Sequence, residues 1–319
     1  MKIIITGGTG LIGRGLVREL SRTGSEAIVL SRHPEGKKLR GNARLVKWDG
    51  ETPHGWQKYV DEADGIVNLA GENIAGPGLI PDRWTADKKK AIVNSRLKCG
   101  RAVNSAVHAA DNPPEVLVQA SAIGYYGPSG DEALTEEAES GSDYLAGVAR
   151  EWEKVTSPVE EEGVRRTIIR TGMVLSERGG VLPRFLLPMR AFVGGPFGDG
   201  NQWHSWIHIE DEVRAIRFLL EEDGREGPFN LTAPNPCKNR EFVRELGRLL
   251  HRPTAIRAPK VAVRLGLGEG STLVLDGQRV IPAKLTEAGF EFNHGELRPA
   301  LENLLSAGKE EETGGNYGG

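Results

Sequence analysis

Apolar positions along this chain follow two alternating rhythms. Ile3-Ile4-Ile5, Ala27-Ile28-Val29-Leu30, Val116-Leu117-Val118 and Thr167-Ile168-Ile169 are short unbroken runs rich in β-branched residues. That is the pattern of strands buried on both faces of a parallel sheet. Between them apolar residues recur at helical spacing: Leu11, Ile12, Leu16, Val17 and Leu20 before Gly24, then Ile92, Leu97, Ala102 and Val107. The pattern predicts strands at 3–5, 27–30, 44–49, 63–71, 116–120, 166–170 and 229–231, and helices from 11, over 87–110, 144–162 and 210–220. Residues 206–209 are expected to return to the same sheet. The Gly/Pro-rich stretch 176–205 is too long for a plain connection and is expected to help wall a substrate cleft. Residues 238–305 read as a small α-rich lobe with a strand or two, and the tail over 307–319 has almost nothing to bury and is expected to be disordered.

The first 32 residues add chemistry to this pattern. Gly7-Gly8-Thr9-Gly10-Leu11-Ile12-Gly13 follows the first strand directly and opens the first helix. A glycine triplet alone says little; strand, glycine turn, helix and second strand in order specify a dinucleotide-binding unit. Gly7 serves the tight turn, Gly10 the close approach of a pyrophosphate and Gly13 the packing of helix on strand. Thr9, Leu11 and Ile12 complete a helix start whose N–H groups face the phosphates. The fold class is therefore α/β, a Rossmann-type doubly wound parallel sheet with a smaller α-rich C-terminal substrate lobe. The boundaries place residues 1–176 with about 205–232 in the nucleotide-binding domain, and about 177–204 with 233–306 in the substrate lobe.

NAD-binding units end the second strand in a carboxylate that accepts from the ribose hydroxyls. Here Ser31-Arg32-His33 stands at that place. A guanidinium and a hydroxyl suit a 2′-phosphate, so NADP(H) is the expected cofactor, with Arg32 as clamp and Ser31 assisting. Asp49, after the third strand, either meets the adenine or caps a turn. Leu69, Ala70 and Gly71 let backbone pass close to ribose and pyrophosphate. Arg170, ending the sixth strand, joins the cofactor set. With Gln278 and Arg279 it also offers charge to an anionic or sugar-like substrate.

Composition narrows the classes. The chain has 319 residues, 38% apolar and 27% charged, with net charge −3, which gives no reason to expect nucleic acid or an acidic membrane as partner. No apolar run approaches the roughly 18 residues of a membrane span. The chain opens on a core strand, so no signal or transit segment is expected. Cys99 and Cys237 lie far apart without metal-like spacing and are expected to be reduced packing residues; no metal site is expected. A cytoplasmic location follows by default, and the oligomeric state stays open between monomer and homodimer.

TGGTGLIG, NLAGENI, SAIGYYG, RTGMVLS, GGPFGDGNQWHSWIHIED and GQRVIP, in that order, resemble one family: the atypical extended short-chain dehydrogenase/reductases of the "epimerase family protein" branch, related to NAD-dependent epimerase/dehydratases. The resemblance runs from Met1 to about Leu305, including the C-terminal lobe of unassigned function. It implies a Rossmann fold, bound NADP(H) and a substrate cleft between the lobes. It also implies a Ser/Thr, a Tyr and a Lys four residues after the Tyr, which lowers the tyrosine pKa and holds the nicotinamide ribose. The sequence departs from this pattern. Val148 stands four residues after Tyr144, and Ala122 stands where the hydroxyl belongs, one place from Ser121. Ser121, Tyr125 and Tyr126, on the loop after the fifth strand, are the expected replacements. Tyr144 is expected to contribute little. Lys89 and Arg96 reach toward the cleft, with a structural salt bridge the expected role. Gln202, Trp203 and Trp206 read as cleft lining. His208 is placed in the substrate set, with a structural role joining sheet to lobe through Asp211 as its alternative.

Two classes of function remain. One is an NADP(H)-dependent oxidoreductase or epimerase acting on a small polar molecule. The other is a non-catalytic NADP(H)-binding redox sensor or regulator, for which the resemblance supplies an occasional cell-division label. Isomerisation without net redox change is a variant of the first.

Overall fold

Seven strands, all parallel, form the central sheet: β1 (Lys2–Thr6), β2 (Glu26–Ser31), β3 (Ala43–Lys47), β4 (Gly65–Asn68), β5 (Val116–Ala122), β6 (Arg165–Thr171) and β7 (Gly227–Leu231). Their order across the sheet is β3-β2-β1-β4-β5-β6-β7. The order reverses between β1 and β4, and ligands of such sheets bind in the crevice beyond the strand ends at that point. The computed structural model describes residues 1–39 and 41–314, with side chains through residue 306.

Helices α1 (Leu11–Arg22), α2 (Ala86–His108) and α3 (Tyr144–Lys154) begin where local chemistry starts them. The Thr85 side chain accepts the Lys88 N–H to cap α2, and Asp143 accepts the Ala146 N–H to cap α3. The expected helix over 144–162 ends at Lys154 and resumes as a tighter turn, Ser157–Glu162, because Pro158 has no N–H to continue the ladder.

The stretch 176–205 is not simply a loop. It contains α4 (Leu182–Arg190), with Pro183 in the first turn and Leu182, Phe185, Leu186 and Met189 buried. Residues Trp206–His208 do not rejoin the main sheet but pair in parallel with Met173–Leu175 as a separate two-stranded ribbon. Helix α5 (Ile209–Glu221) then packs beside α1 on one face of the sheet, where Gly15 sits against Val213 and Ile209. Ile3, Ile5, Leu16, Val29 and Ile216 share the core of this face. On the other face α2 lays Cys99, Ala102 and Val103 against Ile4, Ile28 and Leu117. Its neighbour is α3.

The C-terminal lobe holds α6 (Asn239–Leu250), α7 (Lys260–Leu267) and α8 (Leu297–Gly314), with single turns between them. Its own core gathers Phe185, Trp206, Phe242, Leu246 and Leu301. The backbone is helical through Gly314, where composition pointed to disorder; the rest of that expectation, residues 315–319, lies outside the described residues. Among the described residues no helix is long and apolar enough to cross a membrane.

Candidate functional site

The turn between β1 and α1 is too tight for side chains at its key positions. Gly7 has φ +67°, and a Cβ on it would lie 2.8 Å from the Leu69 carbonyl carbon. A Cβ on Gly13 would lie 2.4 Å from Gly8 Cα and 2.6 Å from Gly7 O. Gly10 donates its N–H to Gly7 O at 2.9 Å and starts α1 with no side-chain cap and no acidic residue in the first turn. The first N–H groups of α1, from Leu11, Ile12 and Gly13, therefore keep the anion-binding potential of an uncapped helix end. A cavity of about 470 Å³ opens there, lined by Thr9, Gly10, Leu11, Arg14, Lys38 and Ser176 among others. Uncapped N–H groups ringed by basic side chains fit a pyrophosphate. Arg14 and Lys38 were not expected in this set; their position next to the glycine turn and the second strand was the signal.

At the end of β2, Ser31 is buried and its hydroxyl accepts from Lys37 Nζ at 3.3 Å. Arg32 is exposed, and its stem lies against Gly50, whose added Cβ would sit 3.4 Å from Arg32 Cδ. The strand end thus carries a hydroxyl, a guanidinium and an ammonium. Asp49 takes the turn-capping alternative: its carboxylate accepts the N–H groups of Glu51 and Thr52, both at 2.8 Å, and the Thr52 hydroxyl at 2.6 Å.

Beneath the crevice a buried polar chain ties three strands together. Thr6 Oγ1 donates to Asn68 Oδ1 at 2.6 Å, and Asn68 Nδ2 donates to Gln119 Oε1 at 2.7 Å. Thr6 Oγ1 also accepts the Ala70 N–H at 3.1 Å, which fixes the Leu69–Gly71 backbone against the glycine turn. Burial pushes the neighbouring Cys99 thiol up to about 12, so it stays a neutral packing group beside Asn68.

The expected catalytic group on the loop after β5 is largely committed elsewhere. Ser121 is buried and donates to Glu153 Oε1 at 2.6 Å. Tyr126 donates to Asn230 Oδ1 at 2.6 Å and accepts from Arg170 Nη1 at 3.0 Å. Burial pushes its phenol up to about 12, against the pull of Arg170. Arg170, expected among the cofactor ligands, turns inward instead. It grips Glu153 through Nε and Nη2 and donates to the Glu136 carbonyl at 3.3 Å. Side chains alternate across a strand, and the carboxylate of α3 lies on the face to which Arg170 points. Tyr125 lies with its ring centroid 3.5 Å from the Arg170 guanidinium, and among the described residues its hydroxyl has no hydrogen-bond partner.

Tyr144 faces more open space. It lines a cavity of about 300 Å³ with Trp84, Arg264, Ser271 and Thr272, between α3 and the C-terminal lobe. Its hydroxyl donates to the Lys89 carbonyl at 3.0 Å, and burial raises its pKa although Arg96 pulls it down. Of Lys89 and Arg96 on α2, Lys89 forms the expected salt bridge, with Glu269, and Arg96 does not. Arg96 is 8% exposed and donates from Nη1 to the carbonyls of Glu72 and Ile92 at 3.1 and 2.9 Å. The signal for its burial was its position on the apolar stripe Ile92–Arg96–Cys99 of α2.

The remaining expected lining residues brace the wall. Gln202 Nε2 donates to the Val274 carbonyl at 2.8 Å, and Trp203 Nε1 donates to Asp131 at 2.7 Å. Gln278 donates to the Ile123 carbonyl at 2.8 Å, while Arg279–Val280 pairs in parallel with Ala133–Leu134. Trp206 belongs to the core of the lobe. His208 is buried, accepts the Glu210 N–H at 3.1 Å to cap α5 and stacks on His294 with centroids 3.7 Å apart. Asp211 accepts the N–H groups of Asn293 and His294 at 3.0 and 2.8 Å, joining sheet to lobe. Ligand atoms of His208, Glu210 and His294 lie within 4.8 Å of one another. The imidazole planes are only 25° apart, however, so their in-plane lone pairs pass side by side and do not converge on one ion.

A family model described as the NAD dependent epimerase/dehydratase family matches residues 3–232. The chain belongs to that family. A second model, a domain of unknown function (DUF1731), matches residues 258–304 of this epimerase-family protein. It is 38% identical over 307 residues to the epimerase family protein SERP0438 of Staphylococcus epidermidis, covering 96% of this chain and 99% of that one. Among solved structures it is similar to the human epimerase family protein SDR39U1 (isoform 2) with NADPH, at TM-score 0.82 and 30% identity, covering 95% of this chain and 99% of the human one. It is also similar to a nucleoside-diphosphate sugar epimerase from Corynebacterium glutamicum, at TM-score 0.73 and 32% identity, over all of this chain and 62% of the other.

Proposed function

We propose that this epimerase-family protein binds NADP(H) and acts as an oxidoreductase or epimerase on a small polar molecule. The observation that carries the reading is the end of β2, where Arg32 and the Lys37–Ser31 pair, with no carboxylate at positions 31–33, stand beside the uncapped start of α1. A 2′-phosphate gains charge-assisted hydrogen bonds there; a carboxylate would repel it. The human relative solved with NADPH supports the same choice.

NADP(H), when bound, supplies hydride exchange. The chain's own residues do the rest. The N–H groups of Leu11 and Ile12 bind the pyrophosphate, with Arg14 and Lys38 adding positive charge, while Arg32 holds the 2′-phosphate. We assign the proton to Tyr144 and not to Tyr126. Tyr144 lines a cavity and spends its hydroxyl on one carbonyl, whereas Tyr126 is buried between Asn230 and Arg170. Its raised pKa keeps the phenol protonated at neutral pH, the form that gives a proton to a substrate oxygen.

The test is equilibrium binding of NADPH and NADH, followed by fluorescence while sugars, aldehydes and quinones are added. Tighter NADPH binding and its oxidation by one of these compounds are expected. Tighter NADH binding overturns the cofactor assignment. Tight NADPH binding without turnover across an exhaustive panel favours the sensor.

A further inference from the structure

Arg96 is a buried cation with no anion beside it. Among the described residues no carboxylate comes within ion-pair distance of its guanidinium, and its Nε is buried without a hydrogen-bond partner. Only Nη1 is engaged, by two neutral carbonyls. The flat face of the group lies 4.5 Å from the centre of the Trp152 ring. Burial pulls its pKa down to about 10, with Tyr144 and Glu72 opposing. A charge taken out of water and left with neutral acceptors is costly, and a chain that keeps one has a use for its free donors.

Its position says what that use is. Arg96 packs against Gly71, whose added Cβ would lie 3.2 Å from the guanidinium carbon. Gly71 is exposed and directly follows the Leu69–Ala70 backbone that the glycine turn touches. The phosphate-binding turn belongs to β1, and Arg32 stands on the β2 side of it. A dinucleotide lying across the reversal of strand order puts its second half on the β4 side. That is where Gly71, Arg96 and Tyr144 lie.

We propose that Arg96 is a cofactor-binding residue that donates to the ribose hydroxyls on the nicotinamide side of a bound dinucleotide. It reaches them from α2, beside Gly71. A cation four residues after Tyr144 would lie on α3; this chain has Val148 there, 8% exposed, and carries its cation on the neighbouring helix. This inference rests on the dinucleotide reading above.

The test compares two probes on the full chain. NADPH contains the nicotinamide ribose; the adenosine bisphosphate fragment of NADP carries the same 2′-phosphate and lacks it. Arg96→Met is expected to weaken NADPH at least tenfold and leave the fragment's affinity within twofold, while Arg96→Lys recovers part of the loss. Unchanged NADPH affinity in Arg96→Met overturns the proposal. An equal loss for both probes also overturns it, because it makes Arg96 a structural support of the whole groove. If Arg96→Met fails to fold, the smaller change Arg96→Lys decides: it must separate the two probes in the same sense, or the proposal falls. Failure of the unaltered protein to bind either probe is a different result, and it removes the dinucleotide reading itself.

Discussion

Arg170 and Glu153 meet side-on, with Nε 2.9 Å from Oε1 and Nη2 3.0 Å from Oε2. Both are almost wholly buried, and the pair fastens α3 to the end of β6. Burial alone would depress the guanidinium, but hydrogen bonding and charge from Glu153 outweigh it and raise its pKa. Breaking one member of such a pair leaves a bare buried charge. Glu153→Gln is therefore expected to cost about 3–5 kcal/mol of stability, read as a lower midpoint in chemical denaturation. A loss under about 1 kcal/mol would show that solvent reaches the pair.

Gly13→Ala tests the turn. The new methyl would sit 2.4 Å from Gly8 Cα, backbone that cannot step aside. A loss of about 1–3 kcal/mol is expected from the overpacking. NADPH affinity should fall with it, which titration by fluorescence would detect.

Arg32→Asp tests cofactor choice. It removes the guanidinium and puts a like charge opposite a 2′-phosphate, so NADPH is expected to weaken by about tenfold or more, while NADH binds equally or better. An unchanged preference would move the phosphate clamp to Lys37 or Lys38.

The two tyrosines separate chemistry from structure. Tyr144→Phe is expected to abolish turnover of any substrate found while leaving the unfolding midpoint nearly unchanged. Tyr126→Phe leaves Asn230 Oδ1 without its 2.6 Å donor, so it should lower stability by about 1–3 kcal/mol. Full activity in Tyr144→Phe would return the proton to Tyr125, whose hydroxyl is open.

Glu212 should make stability depend on pH. It is fully buried, accepts from the Thr171 hydroxyl at 2.8 Å and has no partner on its other oxygen among the described residues. Burial raises its pKa from 4.5 to about 8. The folded state then holds a proton that the unfolded state releases, so this contribution is fully present below pH 4.5 and is lost as pH rises to about 8. Glu212→Gln should flatten that slope, about 1.4 kcal/mol per pH unit at its steepest. An equally steep slope in the variant would place the titrating group elsewhere.

Where local rules decide, the sequence was a sufficient guide. Ile3–Ile5, the glycine turn and the apolar stripe of α1 specify each other over a few residues, and all appear where the pattern puts them. The same pattern failed where distant partners decide. Arg170 ends a strand and carries a charge, which suggests a ligand; that it points at Glu153 depends on how α3 is laid across the sheet. The Pro-containing α4 forms because Phe185 and Met189 find Phe242 and its neighbours in the lobe, contacts that outweigh its helix-breaking residues. Arg96 was visible as an arginine in an apolar stripe, yet only the structure shows that it has no salt-bridge partner among the described residues.

The glycine turn is made by residues 7–13, whereas the far wall is finished by residues 277–294, where Gln278 is fastened to Ile123 and His294 to Asp211. A nascent polypeptide emerges from the ribosome in that order and folds by units as it goes. On the NADP(H) reading proposed above, the nucleotide groove assembles while the wall is still unsynthesised, and a dinucleotide can act as its template before any substrate is enclosed.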